Sequence, residues 1–326
     1  MARRAFVTGA GGFIASHLVE ALLQRGWQVT ALIHYNNRSH WGWLESHHRR
    51  QPVNLQVVPG DVADPFLIGE ALAGCEVVFH LAALVAIPYS YQAPASYVQT
   101  NITGTLNVAE AARKAGVKRF VHTSTSEVYG SARYTPVDEN HPLQGQSPYS
   151  ASKIAADKLI ESFVCAYGLP AVTVRPFNTY GPRQSARAVI PNIIAQALHG
   201  NSARLGATDT VRDFTFVSDT VEGFIRAAEA DDVTGQVLNL GTGEAISIQE
   251  LAQTIFNLLE VSPAIVTDEK RLRPAASEVQ QLISDNRKAA KLLGWRPAVS
   301  LKDGLGRTIE WMREHPELYR PEEYAV

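Results

Sequence analysis

The sequence predicts an α/β fold in which a doubly wound parallel sheet is joined by a smaller C-terminal α/β domain. In the first third of the chain, short apolar runs alternate with amphipathic stretches, which is the pattern of β-α-β units. Val77–Phe79 is continuously apolar, as expected for a strand covered on both faces. After Pro176, loops rich in Gly, Pro, Asn and Arg separate short helices. We therefore expect one domain over residues 1–175, with a return of residues 213–242, and a second mainly over residues 176–326.

The same alternation predicts the individual elements in order. The predicted strands are Arg4–Thr8, Gln28–His34, Leu55–Pro59, Cys75–Leu81, Arg119–Ser124 and Ala171–Arg175. The predicted helices are Gly12–Arg25, Pro65–Ala73, Tyr97–Ala115, Ser147–Tyr167, Val189–Leu198, Ser218–Ala230, Ser247–Leu259 and Asp285–Leu292. The helix that begins at Ser147 has the clearest start, because serine can cap a helix and Pro148 is tolerated in its first turn.

Composition and charge exclude several classes of protein. Of the 326 residues, 45% are hydrophobic and 19% charged, which is the profile of a folded globular chain. The formal net charge of −2 gives no global positive field for nucleic acid or an anionic membrane. No apolar run approaches the roughly 18–20 residues of a transmembrane helix. Two cysteines, Cys75 and Cys165, are too few for a disulfide framework, so we expect a reducing, cytoplasmic location.

A glycine-rich segment, Thr8–Ala15, directly follows the first predicted strand and opens the first predicted helix. This is the context in which a Rossmann-like fold binds the pyrophosphate of a dinucleotide. Gly9 and Gly12 let the backbone approach the ligand, and the N–H groups near Phe13 and Ile14 meet its negative charge. A plain strand-to-helix turn is the alternative. We therefore expect the first domain to be a dinucleotide-binding Rossmann domain.

Two further strand ends predict contacts to the same cofactor. Asp61 and Val62 follow the third strand, where a carboxylate can accept a hydrogen bond from the adenine amino group. A helix cap is the alternative role for Asp61. The small residues after the fourth strand, in the segment Leu81, Ala82 and Ala83, let a cofactor lie flat across the sheet edge.

The segment after the second strand leaves the choice between NAD and NADP open. The acidic residue that usually binds the ribose would fall near Ile33 or His34, and neither is a carboxylate. Asn36 and Arg38 follow instead. Arg38 can pair with a 2′-phosphate or can be a surface charge.

A group of polar residues predicts acid–base chemistry. Tyr149 and Lys153 are four residues apart on a predicted helix and so project from one face. An ammonium beside a phenol favours the phenolate, which makes a base for a sugar hydroxyl. Thr125 ends the preceding strand and can share the hydroxyl proton with Tyr149. Glu127 is then a second base, directed at carbon, or else it only bonds the following loop.

Together these blocks resemble the extended short-chain dehydrogenase/reductase family, and within it the NAD-dependent epimerases and dehydratases. The blocks that carry the resemblance are Thr8–Ile14, Asp61–Val62, His80–Ala83, Ser124–Gly130, Tyr149 with Lys153, Arg175–Pro182 and Arg212–Phe214. The run Thr125-Ser126-Glu127 resembles nucleotide-sugar 4,6-dehydratases. Two segments, Tyr35–Leu44 and Ala86–Tyr97, resemble the dehydratase of the legionaminic acid pathway.

The resemblance implies a reaction with tightly bound, recycled NAD or NADP and no net redox change. Tyr149, helped by Lys153 and Thr125, takes the proton of the sugar 4-hydroxyl while a hydride leaves C4. Glu127 removes the C5 proton, water leaves from C6, and the hydride returns to C6, giving a 4-keto-6-deoxy sugar nucleotide. Ser126 stands where several dehydratases carry an acidic residue, so Glu127 and a water shuttle that proton or the enzyme does not dehydrate.

Three other functions stay open for this sequence. A nucleotide-sugar 4-epimerase and a UDP-uronate decarboxylase share the family's motifs, although a glutamate at position 127 is unusual for an epimerase. A decarboxylase needs a cation for the uronate, and the sequence identifies none. A dinucleotide-sensing regulator would keep the glycine turn without needing Tyr149 and Lys153.

The resemblance also implies further contacts in the site and between subunits. Additional cofactor contacts are Asn101, Thr123 and Pro176, and substrate contacts are Ser90, Thr125, Asn178, Ile190, Arg212 and Arg273. Arg212 and Arg273 suit a diphosphate, with surface ion pairs as the alternative. The second domain, mainly residues 176–326, is then the substrate-binding domain. A homodimer is expected through Tyr97–Ala115 and Ser147–Tyr167, whose apolar faces can equally be core.

Histidines and tryptophans after the second strand do not predict a metal site. His40, His47 and His48 have none of the usual zinc spacings and no cysteine beside them. Trp41 and Trp43 are expected to cover the adenosine or to pack on a neighbouring subunit.

Overall fold

The computed structural model describes residues 2–48, 50 and 52–319. The strands are β1 (Arg4–Thr8), β2 (Gln28–His34), β3 (Leu55–Gly60), β4 (Val77–His80), β5 (Arg119–Thr123), β6 (Ala171–Pro176), β7 (Asn178–Tyr180), β8 (Ser202–Leu205), β9 (Val211–Arg212), β10 (Phe214–Phe216), β11 (Val237–Leu240), β12 (Ile246–Ser247), β13 (Ala264–Thr267) and β14 (Gln281–Leu282). The α-helices are α1 (Phe13–Gln24), α2 (Glu45–His48), α3 (Pro65–Ala71), α4 (Ile87–Gln92), α5 (Pro94–Tyr97), α6 (Gly104–Ala115), α7 (Pro148–Tyr167), α8 (Val189–His199), α9 (Val217–Glu229), α10 (Ile248–Leu259), α11 (Arg287–Leu293) and α12 (Leu301–Glu314). Short 3₁₀ helices span Gly42–Leu44, Ser126–Tyr129, Glu269–Arg271, Ala275–Ser277 and Pro316–Leu318, and a π-helix spans Val98–Thr103.

Seven strands form one parallel sheet in the order β11-β6-β5-β4-β1-β2-β3. The predicted α/β class with a doubly wound parallel sheet is therefore confirmed. In the register of the sheet, Thr8 pairs with His80 and His80 pairs with His122. The carboxyl ends of β1, β4 and β5 thus lie side by side, at the edge where parallel sheets bind their ligands.

Helices cover both faces of the sheet because alternate strand residues point to opposite sides. Phe6, Val78 and Phe120 are buried in one core cluster together with residues of α3, α6 and α7. Their sequence neighbours Val7 and Phe79 belong to a second cluster, to which α1 and α9 contribute. This two-sided burial explains why the strands read as continuous apolar runs in the sequence.

The C-terminal half adds three small sheets and returns once to the main sheet. The small sheets pair β10 with β7, β12 with β9 and β14, and β13 with β8. β11 pairs in parallel with β6 at the edge of the main sheet. α9 and β11 lie within residues 213–242, the segment expected to return. The division into a dinucleotide-binding and a substrate-binding domain remains a prediction.

Some element boundaries differ from the predictions for local reasons. The helix predicted over Tyr97–Ala115 is α5, the π-helix and α6 in succession. Strand β4 ends at His80, because the backbone N–H of Leu81 donates to the Thr8 side chain instead of extending the sheet. Helix α11 begins at Arg287 and not at residue 285, because the Asp285 carboxylate accepts the Arg287 N–H in a turn.

The helices expected at a dimer interface are partly exposed. Val98 and Leu106 are 51% and 40% exposed, whereas Phe163 is buried in the core. The predicted faces are thus a mixture of surface and core.

Cys75 is buried, Cys165 is exposed, and both are free thiols. None of the described helices is long and apolar enough to cross a membrane.

Candidate active site

The glycine-rich turn between β1 and α1 is shaped for an anionic ligand. Gly9 has φ +67°, and a Cβ there would lie 2.9 Å from the backbone of Ala82. Gly12 is the N-cap of α1, no described side chain caps this helix, and its first turn holds no acidic residue. The N–H groups at Phe13 and Ile14 therefore begin a twelve-residue helix with an open N-terminus. This arrangement fits the pyrophosphate of a dinucleotide.

The segment after β2 folds back onto that turn. Gly42 packs against the carbonyl of Gly11, and the Trp43 N–H donates to the same carbonyl at 3.0 Å. The Asn36 side chain is hydrogen-bonded within the loop, since its Nδ2 donates to the His40 carbonyl at 2.8 Å. Arg38 is exposed. The Trp43 ring lies edge-on to Trp311 of α12, with centroids 5.6 Å apart, so it packs within its own chain.

Asp61 and Val62 lie where the sequence predicted an adenine contact. The Asp61 carboxylate accepts the Ala63 N–H at 2.8 Å and lies 3.9 Å from His34 at the end of β2. The cap of α3 is Asp64, so the alternative of Asp61 as a helix cap is wrong. Val62 is buried.

A buried histidine fixes the segment after β4. Thr8 Oγ1 accepts the N–H groups of Leu81 and Ala82 at 3.1 and 3.0 Å and lies 2.9 Å from His80 Nδ1. His80 Nε2 lies 3.0 Å from Thr105 Oγ1, whose hydroxyl donates to the Asn101 carbonyl. The His80 proton therefore belongs on Nε2. Burial holds the pKa of His80 well below its usual value, so the ring is neutral.

Asn101 lies in the π-helix and supports the site from behind. Its side chain exchanges two hydrogen bonds with the backbone of Leu84, at 2.9 and 3.0 Å, and donates to Ser152 Oγ on α7 at 2.9 Å. The amide of this fully buried residue is thus used within the protein. Asn101 therefore supports the site within the protein, and its direct contact with the cofactor stays a prediction.

The predicted acid–base residues meet at the carboxyl end of β5. Thr125 caps the 3₁₀ helix Ser126–Tyr129, and its Oγ1 accepts the Glu127 N–H at 3.2 Å. Tyr149 lies in the first turn of α7, which Ser147 begins with a capping box. Burial raises the pKa of the Tyr149 phenol, a hydrogen bond to Thr125 opposes this, and the Glu127 charge reinforces it. The Thr125 hydroxyl therefore lies within hydrogen-bonding reach of the phenol, and Glu127 is near enough for its charge to act on it.

Lys153 is hydrogen-bonded to the same strand end. Its Nζ donates to the Thr123 carbonyl at 2.6 Å, at the last residue of β5. Burial lowers the pKa of Lys153 to about 8, and the Asp157 charge opposes that shift. Burial dominates the net shift of the Tyr149 pKa, which is upward, and the expected effect of the Lys153 charge on the phenol stays a prediction. Pro176 lies at the end of the neighbouring strand, β6.

The arginines predicted to bind a diphosphate share one acidic partner. Arg212 lies 3.4 Å from Glu278, and Arg273 lies 3.9 Å from the same carboxylate oxygen. Burial lowers the pKa of Arg212, and the Glu127 charge opposes this, so Arg212 is close to the acid–base group. Arg273 Nη1 is buried without a hydrogen-bond partner. Asn178 donates to the Asp213 carbonyl at 3.3 Å.

Two residues predicted to contact the substrate are buried in this structure. Ser90 is fully buried, and its hydroxyl donates to the Ile87 carbonyl at 2.6 Å inside α4. Ile190 is 1% exposed and belongs to the core with Ile193 and Ile194. Their contacts with a substrate stay predictions. Apolar periodicity identified the helix that carries Ile190 but could not show which of its faces lines the cleft.

A buried polar network that was not predicted from the sequence lies behind the acid–base residues. Its centre is Asp157, which follows Lys153 by one helical turn on α7. Its other members are His122, Ser124, Tyr129, Arg175 and Asn239. The signal available in the sequence was the repeat of the spacing from Tyr149 to Lys153, which places Asp157 on the same helix face.

Within the described residues, no group of three or more His, Cys, Asp or Glu side chains is arranged to hold a metal ion. His40 Nδ1 accepts the Gly42 N–H at 2.9 Å, which orders the loop after β2. His47 lies 4.0 Å from Glu20. The side chain of His48 lies outside the described residues.

Comparisons with known proteins show the family of this chain. The sequence profile of a family described as GDP-mannose 4,6 dehydratase matches residues 6–308. The chain belongs to the NAD-dependent epimerase/dehydratase family. The family resemblance predicted from the motifs is therefore confirmed, and so is dependence on NAD or NADP at the level of the family.

Members of the epimerase/dehydratase family with different reactions are similarly close to this chain. It is 34% identical to a UDP-N-acetyl-alpha-D-glucosaminuronate decarboxylase from Bacillus cytotoxicus, over 96% of this chain and 99% of the relative. It is 35% identical to a UDP-glucose 4-epimerase from Mycolicibacterium smegmatis, over 95% and 98%. The structure of the dTDP-glucose 4,6-dehydratase DesIV from Streptomyces venezuelae, with NAD bound, is 30% identical, with a TM-score of 0.87 over 98% and 100%. These relatives establish nucleotide-sugar chemistry without choosing among the reactions.

Replacing Gly9 by alanine should weaken dinucleotide binding. The new Cβ would meet the Ala82 backbone at 2.9 Å and would also strain the positive φ. We expect the affinity for NAD, measured by calorimetry, to fall by at least about tenfold, which corresponds to about 1.4 kcal/mol. Gly26→Ala is the matched control, because Gly26 has φ +77° but no atom near its Cβ position. Equal losses of affinity in the two variants would contradict this role for Gly9.

The buried Lys153 should make stability depend on pH. Between pH 10.5 and about 8 the unfolded chain holds the lysine proton, whereas the folded chain has released it. The free energy of unfolding should therefore rise with pH in this window, relative to Lys153→Met, by about 3 kcal/mol. Urea unfolding of both proteins from pH 7 to pH 10 measures the difference. Parallel stability curves for the two proteins would contradict the buried titration.

Proposed function

We propose that this protein is a nucleotide-sugar 4,6-dehydratase that uses bound NAD. The observation that carries the proposal is the grouping of Glu127, Thr125 and Tyr149 at the carboxyl end of β5. A glutamate beside the phenol gives the site a second base, which removal of a proton from carbon requires. Epimerisation at C4 has no such requirement.

The residues of the glycine turn and the neighbouring strand ends fit the cofactor. Gly9 and Gly12 give the backbone close access, and the open N-terminus of α1 faces the pyrophosphate. Asp61 is available to the adenine, and the segment 81–83 is held in place by Thr8. When bound, NAD supplies the hydride acceptor at C4 of the sugar. We choose NAD over NADP because DesIV was solved with NAD.

Tyr149 is proposed to take the proton of the sugar 4-hydroxyl. Its raised pKa means that the phenol is protonated at rest, so it needs neighbouring groups to exchange that proton. Thr125 touches the phenol and can pass the proton to and from the substrate. Lys153 has a pKa of about 8, so at pH 7 its positive charge lies one turn away and favours the phenolate.

Glu127 is proposed to act on carbon. Once C4 is a ketone, the C5 proton is acidic, and the Glu127 carboxylate can remove it. The neighbouring position holds Ser126, whose buried hydroxyl is a poor acid. Glu127 must therefore return the same proton to the departing 6-hydroxyl, which leaves as water. One carboxyl group thus serves as base and then as acid.

Two arginines are proposed to bind the diphosphate of the nucleotide-sugar substrate. Arg212 and Arg273 converge on Glu278 and offer two guanidinium groups to a diphosphate. We also propose a cytoplasmic homodimer, in which the exposed Val98 and Leu106 are covered by the partner.

Mass spectrometry of products tests the reaction class. The purified protein, without added cofactor, is incubated with UDP-, dTDP-, GDP- and CDP-linked hexoses, N-acetylhexosamines and uronates. We expect loss of one water from one nucleotide class. An unchanged mass with a new C4 isomer by NMR would make it a 4-epimerase, and loss of carbon dioxide a decarboxylase. No change with any substrate would favour a dinucleotide-sensing regulator.

Replacing Glu127 by glutamine should separate the two half-reactions. The variant keeps the shape of the side chain but cannot take the C5 proton, so we expect water loss to fall by about two to four orders of magnitude. Oxidation at C4 should continue, and reduced cofactor should accumulate with absorbance near 340 nm. Tyr149→Phe is the control, because it should bind NAD yet form no reduced cofactor. Continued water loss by E127Q would rule out Glu127 as the base.

A further inference from the structure

Asp157 is a buried acid next to the site with hydrogen bonds to both of its oxygens, and no step proposed above uses it. Its Oδ2 accepts from Ser124 Oγ at 2.8 Å and from Arg175 Nε and Nη2 at 3.1 and 2.9 Å. Its Oδ1 lies 3.1 Å from His122 Nε2. Both oxygens are therefore occupied by groups from β5 and β6, and the carboxylate has no direct access to a ligand.

We propose that Asp157 is a positioning residue for catalysis, which sets the place of Thr125 through Ser124 and keeps Lys153 in its protonated, cationic form. The proposal rests on the role of Tyr149 and Lys153 in C4 oxidation. That step is common to the dehydratase, epimerase and decarboxylase reactions, so the inference does not depend on which of them occurs.

Hydrogen bonds hold the end of β5 against α7. Three successive residues of one strand end are bonded to α7: His122 and Ser124 through their side chains to Asp157, and the Thr123 carbonyl to Lys153. Thr125 is the next residue in the chain. The strand end is therefore held against α7, and this fixes the approach of the Thr125 hydroxyl to the phenol of the same helix.

The network also reaches the element that carries Glu127. Arg175, held by Asp157, donates to the Tyr129 hydroxyl at 3.0 Å, and its guanidinium lies 4.9 Å from the centre of that ring. Tyr129 ends the 3₁₀ helix that contains Glu127 and donates to Asn239 on β11 at 2.7 Å. One carboxylate thus links α7, β5 and β6 to the second base.

Lys153 is surrounded by other titratable and charged groups. Those that face Lys153 or the Asp157 network are His80 on β4, His122 on β5, Arg175 on β6, Tyr149 and Asp157 on α7, and Glu127 and Tyr129 on the 3₁₀ helix. Burial holds the pKa values of both histidines below their usual range, so they are neutral at pH 7. Burial opposes the ionised form of Asp157, but His122 and Arg175 hold its pKa at about 2. Asp157 is therefore the permanent negative charge that opposes loss of the Lys153 proton.

A direct titration of Lys153 tests the charge part without any substrate. The chain has eight lysines, so labelling with [ε-¹³C]lysine gives few NMR signals. The Lys153 signal is the one that is missing from the spectrum of the Lys153→Met variant. We expect a midpoint near pH 8 in the wild type and a midpoint lower by at least about one unit, a tenfold change in acidity, in Asp157→Asn. An unchanged midpoint in D157N would overturn the proposal.

Controls separate this effect from loss of structure. Asp219→Asn removes another buried carboxylate, which accepts the N–H groups of Ala298 and Val299 far along the chain. It should destabilise the protein and leave the Lys153 midpoint unchanged. If D157N alone does not fold, the double variant Asp157→Asn/Arg175→Gln removes the acid without leaving its arginine unpaired, and its midpoint should also be lower. A D219N midpoint that moves as far as that of D157N would overturn the proposal.

Steady-state kinetics with a substrate that the wild type converts test the positioning role of Asp157. In D157N we expect kcat to fall by at least about tenfold at pH 7.5 with KM little changed, and the alkaline limb of the kcat profile to move to lower pH. Ser124→Ala keeps the charge and should lower kcat without moving that limb. A D157N profile that coincides with the wild type, or a loss confined to KM, would overturn the proposal. A wild type with no reaction would refute the proposed function, while the NMR titration would still decide the role of Asp157.

Discussion

The active-site edge of this protein depends on one buried carboxylate and the four donor groups around it. Charges are rarely buried unless they are paired, because the cost of removing them from water exceeds most single interactions. Asp157 meets that requirement with His122, Ser124 and both nitrogens of the Arg175 fork. Since these donors come from two strands, the helix cannot slide along the sheet without breaking several charge-assisted hydrogen bonds.

The bounds of six of the seven strands of the main sheet could be predicted from the sequence to within a few residues, and the reason is local. Parallel strands covered on both faces are apolar throughout, so the six predicted strands of the main sheet needed no knowledge of distant contacts. The π-helix at Val98–Thr103 could not be predicted in this way, because it depends on bonds from Asn101 to Leu84 and to Ser152. Those partners are seventeen and fifty-one residues away in the chain.

The candidate site was predictable where a motif is continuous and not where the site is assembled from distant segments. Thr125, Glu127, Tyr149 and Lys153 were found because strand ends and helix spacing bring them together. Glu278 was missed, since it meets Arg212 across sixty-six residues of sequence. The bond from the Ser90 hydroxyl back to its own helix could not be predicted either, because sequence position does not show where a hydroxyl points. Motif spacing therefore predicted the acid–base residues better than it predicted the residues that line the cleft.

The mutual packing of two glycines limits how this protein can be redesigned. Gly42, in the loop after β2, rests on the carbonyl of Gly11 in the phosphate-binding turn, with no space for a side chain between them. Grafting a loop from an NADP-dependent relative to change cofactor preference would therefore succeed only if the donor loop has a glycine at the same place. The two segments behave as one part, and a chimera must exchange them with their contact preserved.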